Sequence, residues 1–172
     1  ILYTLLTILV PFAIGAFFVK KVQKRSELLP LGKPKSGILF VEAVGIGLMA
    51  IVIANFVTAF LVQLFEGFGI VFDSYKPESP TSGYQLAWIL LSNAIVPALV
   101  EEFALRGVLL QSLRKYGDAF AVFASAILFG IMHGNMTQAP FAFILGAVLA
   151  ILVIMTGSLW TSMAVHLINN TY

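Results

Sequence analysis

The chain has 172 residues, 60% of them hydrophobic and only 10% charged, with a mean hydropathy of +0.99 and a formal net charge of +2. An ordinary soluble domain is about 25% charged, so this composition excludes one and points to a polytopic membrane protein. No cysteine is present, which excludes disulfides and thiolate-held metals.

The expected fold class is all-α: one polytopic transmembrane bundle of about six membrane helices, with the polar residues inside it. Residues 1–172 form a single membrane domain, with two N-terminal transmembrane helices in 1–65. The chain begins without methionine, as a piece of a longer protein would. Ile1 to Val19 is apolar and uncharged, interrupted by Pro11 and Gly15, which membrane helices tolerate. It has no basic residues ahead of it and no small-residue cleavage site, so a membrane helix is expected rather than a signal peptide. Lys20, Lys21, Lys24, Arg25, Lys33 and Lys35 follow, against the single acid Glu27. The positive-inside rule puts this 20–35 loop in the cytoplasm. Clustered beside apolar spans, these charges orient a membrane protein and do not indicate nucleic-acid binding.

Ile38 to Phe65 is the second span, with Glu42 at its interfacial start. A far-side loop, 66–83, carries Asp73, Lys76, Pro77, Glu78 and Pro80, with a short interfacial piece expected at 68–72. Tyr84 to Leu113 is a long helical pattern in which Pro97 is expected to produce a kink one turn before Glu101. Arg114 and Lys115 end it on the basic side. Ala119 to His133, Ala139 to Met155 and Leu159 to Tyr172 complete the six. From Ala119 onward there is no Asp, Glu, Lys or Arg, yet both histidines of the chain, His133 and His166, lie there.

The third span contains Glu101-Glu102-Phe103-Ala104-Leu105-Arg106. Each charge at membrane depth costs roughly 2.5–3.5 kcal/mol on insertion scales, so three together need a reason. Glu102 and Arg106 are four apart and can pair on one face, leaving Glu101 about 100° away as the working carboxylate. His166 and Asn170 also share a face. Glu101, at 13 residues before Arg114, and His133, at 15 after Asp118, each lie roughly 20 Å from the basic side, and all can meet in the bilayer. A carboxylate and a histidine can hold and deprotonate water, while a second imidazole and an amide can donate to an oxyanion. Packing glue between helices is the plainer alternative for such residues, and Ser125 and Ser162 suit helix contacts. Zinc on Glu101, His133 and His166 is another alternative.

These motifs resemble the CPBP family, the CAAX proteases and bacteriocin-processing enzymes also called Abi or type II CAAX prenyl endopeptidases. Glu-Glu-x-x-x-Arg stands at Glu101 to Arg106, Phe-x-x-x-His at Phe129 to His133, and His-x-x-x-Asn at His166 to Asn170. The resemblance covers a catalytic core in 84–172 and implies an intramembrane endopeptidase acting on a membrane-associated peptide or protein, CAAX-type or signal-peptide-like. It implies that Glu101 and His133 activate water, that His166 and Asn170 stabilise the oxyanion, and that Glu102 and Arg106 support them, without a metal cofactor. It further implies a multi-pass protein of a bacterial plasma membrane, with the lipid bilayer as its other partner. A non-catalytic scaffold or bacteriocin self-immunity protein on the same fold is the alternative, and an ion or proton transporter a third reading. The intact polar set favours the enzyme.

Overall fold

The computed structural model describes residues 1–23, 29–70, 72 and 79–171. Among these all regular structure is helical. Six helical rods form the bundle: α1 (residues 2–23), α2 (Gly37–Gly67), α3 (Gly83–Tyr116), α4 (Asp118–Met132), α5 (Ala139–Thr156) and α6 (Leu159–Thr171). Three of them, α2, α3 and α5, are long and apolar enough to cross a membrane by themselves, and α1 and α4 contain shorter apolar helices. The six apolar segments read from the sequence therefore correspond one to one with these rods.

Local chemistry sets the ends. Ser36 caps α2, its hydroxyl accepting from the backbone of Ile38 and Leu39. Ser82 caps α3 by accepting from Gln85 N, while Gln85 Oε1 accepts from Thr81 in return. Such reciprocal capping satisfies donors that a helix start leaves unpaired. Gly157, at φ +68, closes α5 in the left-handed conformation that favours glycine. Residues 68–70 and 72, within the stretch expected to lie at the interface, are turn or irregular backbone. Phe68 and Gly69 make the turn that ends α2, with Gly69 at φ +82. Asp73, Lys76, Pro77 and Glu78, like Lys24, Arg25 and Glu27, lie outside the described residues.

Around Pro97, where a kink is expected, the helical register changes. The rod α3 widens into π-helical turns at Leu90–Ile95, and Pro97 then sits in the first turn of the α-helical stretch Val96–Glu102. Proline has no N–H to give the preceding turn, and a π-turn shifts the hydrogen-bond register there. A second π-helical stretch, Phe103–Leu109, follows immediately after the two glutamates. Interruptions of this kind turn side chains to new bearings and recur at functional sites.

Small residues let the rods approach. A Cβ on Gly146 of α5 would meet Ala126 Cα of α4 at 3.3 Å, and one on Gly47 of α2 would meet Val165 Cγ2 of α6 at 2.6 Å. Close backbone contact through glycine and alanine is how helices associate without a hydrophobic drive. Three apolar clusters line the interior. Leu110, Ala150 and Leu159 fill the basic end, Ala43, Leu149 and Val165 fill the space under α2, and Leu105, Phe129 and Ala142 lie beside the glutamates.

The segment before α2 straps the α5–α6 corner. Ser158 Oγ donates to Gly32 O at 2.7 Å, Trp160 Nε1 to Leu31 O at 2.9 Å, and Leu159 N to Pro30 O at 2.8 Å. Lys35 Nζ donates to Met155 O at 3.0 Å. The described part of the basic loop and the start of α6 are thereby joined at one end of the bundle.

Candidate active site

α3 and α6 lie against each other, and their polar faces meet. Arg106 Nη1 donates to Glu102 Oε1 at 2.9 Å, the pairing that their spacing predicts. Both side chains are fully buried. Arg106 Nη2 also donates to the Gly146 carbonyl at 3.1 Å, and the guanidinium lies 4.3 Å from the centre of the Phe129 ring. A planar fork can serve a carboxylate, a carbonyl and an aromatic face together, which an ammonium cannot.

Glu102 has a second partner that its spacing does not announce. His166 Nδ1 lies 2.9 Å from the same Oε1. A carboxylate only accepts, so Nδ1 carries the proton and donates it. The far ring nitrogen, Nε2, lies 3.9 Å from Glu101 Oε2, too long for a direct hydrogen bond. His166 thus bridges the two adjacent glutamates, held by one and facing the other. Glu101 retains 18% exposure of its side chain, whereas Glu102 has none. Water therefore reaches only the first of the pair.

His133 follows the last residue of α4 and is exposed. Its Nδ1 lies 2.8 Å from the Phe129 carbonyl, which only accepts, so Nδ1–H donates and Nε2 is left as a lone pair in the neutral ring. The Phe129 ring packs edge-on against both imidazoles, with centroids 4.9 Å from His133 and 5.5 Å from His166. No hydrogen bond joins Glu101 to His133 among the described residues.

Asn170 lies one turn beyond His166 and is half-buried. Its Oδ1 accepts from Asn169 Nδ2 at 3.0 Å, so that bond leaves Nδ2 as its donor end. Ser162, one turn before His166, is buried and donates to the Leu159 carbonyl at 3.0 Å. Glu101, Glu102, Arg106 and His166 thus form one cluster, with His133 adjoining it across Phe129. Spacing alone did not reveal the Glu102–His166 bond or the Gly146 carbonyl. Phe129 was visible only as a motif position, and its role as the shared wall of three polar groups is a finding of the fold.

Among the described residues no group of three His, Asp or Glu side chains is gathered as metal ligands would be; the bond from His166 Nδ1 to Glu102 leaves Nε2 as its free ring nitrogen.

A family model described as type II CAAX prenyl endopeptidase Rce1-like matches residues 83–172. That stretch begins at the first residue of α3 and takes in every residue of the cluster. No curated protein and no solved structure matches the chain.

Proposed function

The chain belongs to the type II CAAX prenyl endopeptidase Rce1-like family, and from that premise we propose that it is an intramembrane endopeptidase working through glutamate- and histidine-activated water. The observation that carries the proposal is the division of labour between adjacent carboxylates. Glu102 is sealed in contact with Arg106 and His166, while Glu101 is open to water beside His166 Nε2.

In the proposed mechanism, water sits between Glu101 and His133 Nε2. Glu101 takes its proton as the water oxygen attacks the scissile carbonyl carbon. The carbonyl oxygen becomes an oxyanion and receives hydrogen bonds from His166 and from Asn170 Nδ2. His166 donates to it as the imidazolium, with Nδ1–H on Glu102 and Nε2–H on the oxyanion. In that form the charges of Glu101, Glu102, Arg106 and His166 cancel, which suits a buried cluster. Collapse of the intermediate breaks the C–N bond, and Glu101 returns the proton to the leaving amine. Every step uses protein groups alone, without a metal cofactor.

The substrate we propose is a membrane-associated peptide or protein with a CAAX-type or signal-peptide-like cleavage site, in a bacterial plasma membrane with the 20–35 loop cytoplasmic. Residues 84–172 supply the catalytic core, and the helices within 1–65 brace it, α2 through the Gly47–Val165 approach. A comparison of membrane peptides from cells expressing the wild type or Glu101→Gln tests the reading. Peptides that appear only with the wild type are expected, and identical peptide sets contradict it.

A further inference from the structure

The two asparagines at the end of α6 are adjacent in sequence and bonded to each other. Asn169 Nδ2 donates to Asn170 Oδ1 at 3.0 Å. A carboxamide has one accepting end and one donating end, related by a half-turn about its last torsion. Only one orientation of Asn170 presents Nδ2 to a developing oxyanion. The other presents Oδ1, and two electron-rich oxygens would then face each other. In the observed pairing the bond from Asn169 takes up Oδ1, so Nδ2 is the end of Asn170 left to donate elsewhere. Asn169 itself lies on the wall of a groove of about 820 Å³ between α2, α5 and α6, alongside Asn55, Phe141 and Ile168. There its backbone is fixed in α6 while its side chain remains half-buried.

We infer that Asn169 is a positioning residue, acting through Asn170 by holding its carboxamide with Nδ2 toward the reacting carbonyl. The inference rests on the endopeptidase reading above. Asn169 touches no reacting atom, so its effect must travel through its neighbour. Loss of the Asn169 donor lets Asn170 populate both orientations, which weakens oxyanion stabilisation and leaves ground-state binding unchanged.

The test is a double-mutant cycle on the full chain in proteoliposomes, with an internally quenched farnesylated CAAX peptide as probe. Asn169→Leu keeps the side-chain volume, suits the apolar groove and removes the donor. Asn169→Asp, nearly isosteric, is the second variant should the first fold poorly. Either is expected to lower kcat by about tenfold with KM within about twofold, a fraction of the loss that follows removal of an oxyanion donor. In an Asn170→Ala background the same substitution is expected to have no further effect. Wild-type kcat in both Asn169 variants, or the same fold-loss with and without Asn170, overturns the inference and leaves the endopeptidase reading intact. Wild-type kcat in Asn170→Ala, or no cleavage by the wild type, contradicts that reading and the inference with it.

Discussion

His166 and Glu102, 64 positions apart, share a 2.9 Å hydrogen bond in the fully buried interior between α3 and α6. The same carboxylate oxygen receives Arg106 at 2.9 Å. One acceptor thus takes donors from two side chains, and His166 is left with a single free ring nitrogen, 3.9 Å from Glu101. The remaining Glu102 oxygen and Arg106 Nε make no hydrogen bond among the described residues, so the cluster depends on the bonds it does make.

Removal of Glu102 should therefore be costly to the fold. Glu102→Ala leaves the Arg106 guanidinium buried without its counter-charge, at about 3–5 kcal/mol. Thermal unfolding in detergent is expected to show a large drop in midpoint. Glu102→Gln, which keeps an accepting oxygen, is expected to lose less stability but still to lose activity. A Glu102→Ala protein as stable as the wild type would contradict the burial argument.

Arg106→Lys should not behave as a conservative change. Lysine keeps the charge but cannot reach Glu102 and the Gly146 carbonyl while lying over Phe129. The loss of one charged hydrogen bond in a buried site is expected to cost about 1.5–3 kcal/mol. The same unfolding measurement reads it, and a midpoint equal to that of the wild type counts against the fork geometry.

Gly146 tests the packing around the site. An added Cβ would stand 2.9 Å from the Phe129 ring, 3.3 Å from Ala126 Cα and 3.3 Å from Arg106 Nη2. Gly146→Ala is expected to destabilise by about 1–3 kcal/mol, the usual range for overpacking, and to lower peptidase activity by displacing Phe129. Gly15→Ala on α1 is the control, since a Cβ there meets nothing within 4 Å. Equal stability of the two variants would contradict the close approach of α4 and α5.

Much of this arrangement was legible in the sequence, for identifiable reasons. Six apolar runs give six rods, whereas the capping by Ser36 and Ser82 is a finding of the fold. The Glu102–Arg106 pair follows from a spacing of four. The Glu102–His166 bond was not legible because no local pattern links residues that the fold alone makes neighbours. Sequence placed Glu102 solely with Arg106, whereas the fold gives it to His166 as well. The π-helical stretch after Glu102 was likewise hidden, since hydrophobic periodicity over seven residues does not separate it from an α-helix. The turn at Phe68 and Gly69, with Gly69 at positive φ, ends α2.

The metal question has a direct readout. A strong chelator, followed by metal analysis of the treated protein, is expected to leave peptide cleavage unchanged. Stoichiometric zinc that is lost together with activity, and restores it on return, would transfer Glu101, His133 and His166 to a ligand role.

The central claim is that Glu101, and not its buried neighbour, is the base. Its most direct test is the rate of cleavage of a quenched CAAX peptide by purified wild type and Glu101→Gln in proteoliposomes, with thermal unfolding measured on the same samples. The account predicts a loss of at least about a hundredfold, the lower end for a general base, with an unchanged unfolding midpoint. Cleavage by Glu101→Gln at the wild-type rate would contradict it.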